Sequence, residues 1–158
     1  MTQQIQSILF VCLGNICRSP TAEGVFRAKA QAAGLDLQID SCGTAGWHIG
    51  KSPDPRARAT AAGQGYDLNP LRARQVTQSD FEKFDLILAM DQNNLNDLRA
   101  IAPCGHPAKL HKFTDILPPD HPMTGADVPD PYYEDNFGEV LALIEEGSDA
   151  VLTMIAAP

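Results

Sequence analysis

Basic residues are scarce in this chain. Twelve Lys and Arg stand against 20 Asp and Glu, a formal net charge of −8 over 158 residues. Non-specific binding to nucleic acid or to an anionic membrane draws on clustered cations, so neither partner is expected. Any basic pocket has to be a local exception built from few side chains. Cysteine is sparse as well: four residues, at 12, 17, 42 and 104, with no CxxC pair. That excludes a disulfide scaffold and argues against a structural zinc centre. His106, His111 and His121 form no ligand spacing, so no metal and no cofactor are expected. No apolar run is long enough to cross a bilayer. The opening MTQQIQS carries no positive charge, and residues 8 to 13 are too few for a signal-peptide core. The expectation is a cytoplasmic chain folding as one domain over residues 1–158.

The apolar pattern alternates between strand and helix. Residues 5 to 11 form a run rich in β-formers and predict a buried strand. From about Pro20, the positions Ala22, Val25, Phe26, Ala30 and Ala33 share a helical face. Ser19 suits the cap of that helix, Pro20 its first turn and Gly34 its end. Residues 35 to 41 alternate and predict a second strand. A helix over 55–64, a strand over 85–90, a helix over 91–101 capped by Asp91 and a strand over 109–113 follow. The proline-rich segment 114–135 is expected to be loop. A closing helix over 136–156 is expected to break near Gly147. Strand–helix alternation implies a parallel sheet covered on both faces, with ligands bound beyond the carboxyl ends of its strands.

The loop at that edge is VCLGNICRSPT, residues 11–21. A turn from strand to helix presents N–H groups and positive potential, so an anion is its natural occupant. Gly14 is expected to supply a positive φ in so tight a loop. Arg18 offers a planar fork that matches phosphate. A cysteine at the start of the loop feels the same field, which favours its thiolate and equips it to attack phosphorus. Displacing an alkoxide or phenoxide needs a proton. VPDPYYED offers a donor in Asp130, aimed by the flanking Pro129 and Pro131.

The chain resembles the low-molecular-weight protein tyrosine phosphatases. The resemblance rests on CLGNICRSP at 12–20, which fits C-x5-R-S, and on DPYY at 130–133. It extends through DSCGTAGWHIG at 40–50, ARQVT at 73–77 and FDLILAMD at 84–91. It implies a three-layer α/β fold of flavodoxin-like topology: a four-stranded parallel sheet of order 2-1-3-4 flanked by helices. It implies metal-independent hydrolysis of phosphotyrosine through a phosphocysteine intermediate, by a monomer acting on a phosphotyrosine-containing protein and releasing inorganic phosphate. By position, Cys12 is the nucleophile, Arg18 clamps the phosphoryl oxygens and Asp130 is the acid and then the base. Leu13, Gly14, Asn15, Ile16, Cys17 and Ser19 complete the phosphate loop, with Asn15 and Ser19 orienting the thiolate. Cys17 resembles the family's second loop cysteine, which can form a disulfide with Cys12. Trp47, His48, Tyr132 and Tyr133 fall at the pocket rim, and Gly46 and Gly50 support a loop there. Asp54 and Asp91 match acidic positions near the site. Cys42 and Cys104 read as buried small residues. One departure stands out: Leu71 occupies the position of a histidine that braces the loop in many eukaryotic members.

Other readings share the fold. A thioredoxin-coupled arsenate reductase needs relay cysteines after the third strand, where this chain has Met90, Asp91 and asparagines. Protein arginine phosphatases tend to carry threonine where Ile16 stands. A non-catalytic phosphotyrosine-binding module would be expected to have lost Cys12, Arg18 or Asp130, and all three are present.

Overall fold

The computed structural model describes residues 4–156. Strands β1 (Ser7–Cys12), β2 (Gln38–Gly43), β3 (Leu86–Ala89) and β4 (Lys109–Lys112) form one parallel sheet in the order β2-β1-β3-β4. This is the order the resemblance implied. Helices α1 (Arg18–Ala32), α2 (Pro55–Gly63), α3 (Asp80–Lys83), α4 (Gln92–Ile101), α5 (Pro131–Glu134) and α6 (Phe137–Ala156) connect and cover it.

Strand β1 lies at the centre and is buried along its whole length. The period-two geometry of a strand sorts its side chains. Ile8, Phe10 and Cys12 join Val25 and Phe26 of α1 and Ile144 and Val151 of α6. Leu9 and Val11 join Phe81, Ile87, Leu95 and Leu98 on the other face. Phe10 meets Phe26 and Phe113 edge-on, with ring centroids 5.7 and 5.9 Å away. Full burial of each such ring contributes about 1.5–3 kcal/mol. These two apolar layers fix the height of Cys12, the last residue of β1. The neighbouring strands end level with it, Gly43 beside Cys12 and Ala89 beside Val11. The loops that follow all three strands therefore open on the same edge.

Four expectations need correction. Helix α6 runs unbroken through Gly147. A Cβ there would lie 2.3 Å from the Phe113 ring, so this glycine admits a close neighbour and does not break the helix. The proline-rich segment is not all loop. Phe113–Ile116 makes a 3-10 turn, and Pro131 starts α5 where a missing N–H costs nothing. Ser19 does not cap α1: the helix begins at Arg18, and the hydroxyl turns into the site. Cys42 is buried as expected, but Cys104 is exposed in a turn. Helix α3 was not foreseen, because four residues are too few to show a period.

Candidate active site

The tight loop between β1 and α1 is shaped by two backbone demands. Asn15 takes the left-handed conformation at φ 58°. Gly14 does not, contrary to expectation; its lack of a side chain admits the His48 ring, which a Cβ would meet at 2.9 Å. Asparagine tolerates positive φ better than most residues because its short polar side chain bonds locally. Here that side chain is fully used. Its Nδ2 donates to Ser19 Oγ at 2.7 Å and to Ser41 Oγ at 3.0 Å. Its Oδ1 accepts from the backbone N–H of Arg74 at 3.0 Å.

These bonds lead to the sulfur. Asn15 N–H points at Cys12 Sγ from 3.3 Å, and Ser19 Oγ lies 3.0 Å from it. Ser19 already accepts from Asn15, so its own proton is free to donate, with the sulfur at 3.0 Å and the Cys42 carbonyl at 3.4 Å as acceptors. Both contacts to the sulfur stabilise negative charge there. Behind them Ser41 donates to Glu23 Oε1 at 2.7 Å, and Arg27 donates to Glu23 Oε2 at 2.6 Å. Burial pushes the Glu23 carboxyl above its usual range, opposed by these two donors. The loop is thus braced from β2 and α1, and from the strand-like segment at residues 74–76. Arg74 is itself tied to Asp80 and Asp40 at 2.9 and 3.0 Å. The brace missing at Leu71 comes from elsewhere. Gly43 lets these segments close up, since a Cβ on it would sit 2.6 Å from the Leu13 carbonyl oxygen.

Arg18 is only 3% exposed, and its charge is not left bare. NH1 donates to Asp91 Oδ2 at 2.7 Å and to the Val128 carbonyl at 3.0 Å. Asp91 also caps α4, accepting from Asn94 N at 2.7 Å, so both its oxygens are committed. NH2 lies 3.6 Å from Asp130 Oδ2. Asp130 caps α5 through Oδ1, which accepts from Tyr132 N at 3.1 Å. Thiol, cation and carboxyl therefore converge from β1, α1 and the start of α5.

A cleft opens above them. It is lined by Cys12, Leu13, Gly14, Ile16, Cys17, Arg18, Trp47, His48, Asp130, Tyr132 and Tyr133. Every expected site residue lines it except Asn15 and Ser19, which are buried behind the sulfur. Trp47 is 69% exposed and Tyr133 81%, which puts both at the mouth rather than in the core. Cys17 is buried, and burial pushes its thiol far up, helped by Asp54, Cys12 and Asp130. Asp54 caps α2 through Arg56 N at 2.8 Å. Ser41, Glu23, Arg74 and Arg56 were not anticipated. Ser41 lies within a motif already noted, but spacing alone could not show which side of β2 it faces.

A family model described as low molecular weight phosphotyrosine protein phosphatase matches residues 7–157. The low molecular weight protein-tyrosine-phosphatase YfkJ of Bacillus subtilis is 42% identical over 151 residues, covering 94% of this chain and 95% of that protein. The low molecular weight phosphotyrosine protein phosphatase of Schizosaccharomyces pombe is 44% identical over 161 residues, covering 99% and 100%. The crystal structure of YfkJ superposes with a TM-score of 0.89 at 40% identity, over 98% of this chain and 97% of that one. Vibrio vulnificus Wzb in complex with benzylphosphonate superposes with a TM-score of 0.82 at 30% identity, over 95% and 99%.

Proposed function

The chain belongs to the low molecular weight phosphotyrosine protein phosphatase family, and from that premise we infer that Cys12, Arg18 and Asp130 carry its hydrolysis of phosphoric monoesters. Its substrates are phosphoproteins. The observation that carries the assignment is the convergence of donors on one sulfur at the floor of an anion-accepting cleft.

In the proposed first step Cys12 Sγ attacks phosphorus. The bond to the leaving oxygen breaks, and that oxygen takes a proton from Asp130. Arg18 and the loop at the N-terminus of α1 hold the phosphoryl oxygens. In the second step the Asp130 carboxylate takes a proton from water. The water oxygen bonds to phosphorus, the S–P bond breaks, and inorganic phosphate leaves with the thiolate restored. The substrate class is phosphotyrosine. Tyr132, Tyr133 and Trp47 frame a mouth suited to a flat ring, and Ile16 adds apolar contact. A sulfur sunk below that mouth favours the longer phosphotyrosine over phosphoserine. The unit proposed to do this is one domain, residues 1–158, acting as a monomer. The chemistry needs Cys12 reduced, which supports a cytoplasmic setting.

Rapid acid quench during turnover of p-nitrophenyl phosphate, followed by peptide mass analysis, tests the assignment. A phosphoryl group is expected on Cys12. Turnover with the group on another residue, or on none, would sink it.

Cys17 is proposed as a redox guard. Held as a neutral thiol by burial and Asp54, it does not compete with Cys12 for oxidant. Cys12 sulfenic acid then condenses with it, forming a disulfide and releasing water. After brief peroxide treatment the two residues are expected joined, with activity restored by dithiothreitol. Equal recovery in Cys17→Ala would count against the guard role.

A further inference from the structure

One guanidinium outside the catalytic set joins the acid's loop to the phosphate loop. Arg56, in the first turn of α2, reaches three segments at once. Its Nε and NH2 fork onto Asp54, each at 3.1 Å. NH2 also donates to the Tyr132 carbonyl at 3.3 Å, and NH1 lies 3.7 Å from Asp135 Oδ1. Its carbon lies 4.7 Å from the centre of the Phe137 ring and 5.5 Å from that of Tyr132. On the far side, Asp54 N–H donates to the Ile16 carbonyl of the phosphate loop at 2.8 Å. On the near side, Tyr132 offers its carbonyl to Arg56 and its N–H to Asp130 Oδ1. The two ends of this path are the two halves of the active site.

We propose that Arg56 is a positioning residue for the general acid, setting the distance and aim of Asp130 relative to the phosphoryl group. The inference rests on the acid role of Asp130. Stability is not what Arg56 chiefly supplies, since its side chain is 44% exposed and exposed ion pairs stabilise little. What it supplies is geometry. Helix α5 is a single turn closed by Asp135 in the left-handed conformation at φ 58°. So short a helix has little hold of its own. A planar fork backed by aromatic faces fixes it in a way that an ammonium group does not.

The effect should appear only where the leaving group needs a proton. We compare kcat/KM, which reports steps through the first transfer, on p-nitrophenyl and phenyl phosphate. The proteins are wild type, Arg56→Gln, Arg56→Lys, Asp130→Asn and the Arg56→Gln/Asp130→Asn double variant. Arg56→Gln is expected to lose roughly tenfold more on phenyl than on p-nitrophenyl phosphate. Arg56→Lys should show the same preference in smaller measure. Inorganic phosphate should compete with an unchanged inhibition constant, because its site is Arg18 and the loop. The double variant should be no worse than Asp130→Asn alone, the mark of two residues acting through one group. Equal loss on both esters, or a full additive loss in the double variant, overturns the inference. If Asp130→Asn distinguishes the esters and Arg56→Gln does not, only the Arg56 inference fails. If Asp130→Asn does not distinguish them, the acid assignment fails and the inference with it.

Discussion

Replacing Cys12 by serine is expected to lower p-nitrophenyl phosphate turnover by about 10⁴-fold or more, the scale on which covalent catalysts lose their nucleophile. The change removes one property. A sulfur is a far better nucleophile toward phosphorus than a hydroxyl oxygen. Asn15 N–H and Ser19 Oγ aim at the sulfur from 3.3 and 3.0 Å, and both remain in the variant. They would then face a neutral oxygen on a shorter bond, too far back to reach phosphorus. Binding should survive, because Arg18 and the loop backbone are untouched. Inorganic phosphate is therefore expected to inhibit phosphate-analogue binding to the variant much as it does to the wild type. The measurement is steady-state turnover beside equilibrium titration with phosphate. Residual turnover within tenfold of wild type would remove Cys12 from the mechanism.

The same geometry shows what a linear sequence can and cannot carry. The pattern C-x5-R places its cysteine and arginine on one loop, so their chemistry is legible from neighbours alone. The strands were legible too, because buried parallel strands read as plain apolar runs such as the one ending at Met90, but their order came from the resemblance. Asp130 needed more: its distance from Cys12 is 118 positions, and only the flanking prolines and the resemblance marked it. Asn15, Ser41 and Glu23 form a chain whose links cross from the loop to β2 to α1. No periodicity encodes such a link, since each residue reads locally as an ordinary polar position. Leu71 left a question of the same kind. The histidine's absence there could not show where a brace would come from, because the brace at that segment is the Arg74 backbone N–H, which every residue but proline possesses. Gly147 read as a helix breaker because its neighbour Phe113 lies 34 positions away and in another element.

The roles proposed for the two loop cysteines, attack for Cys12 and redox guard for Cys17, rest on one physical difference. Cys12 sits where the loop offers donors to its sulfur. Five residues on, Cys17 is buried near Asp54 and Asp130, and both carboxylates oppose ionisation there. The two loop cysteines thus differ in what faces them, not in distance along the chain.

Arg18→Lys is expected to cost about 10³-fold in kcat/KM, close to 4 kcal/mol of transition-state stabilisation. Charge is conserved in this substitution, so the loss measures shape. The guanidinium divides its donors: NH1 is committed to Asp91 and the Val128 carbonyl, and NH2 faces the cleft beside Asp130. One rigid plane thereby turns a buried anchor into a fixed direction for the remaining donors. A lysine ammonium is compact and cannot meet the anchor and the phosphoryl oxygens together. If it turned toward phosphate, Asp91 would lose its cation and Val128 its donor, each costing about 1–3 kcal/mol in a buried setting. If it stayed with Asp91, the cleft would lose its positive wall. Either way the inhibition constant for inorganic phosphate should rise alongside the fall in kcat/KM. Thermal melting separates the two cases, since only the first should lower the midpoint by several degrees. A loss below tenfold, with phosphate inhibition unchanged, would mean that charge alone suffices and that the fork held by Asp91 does not direct the phosphoryl group.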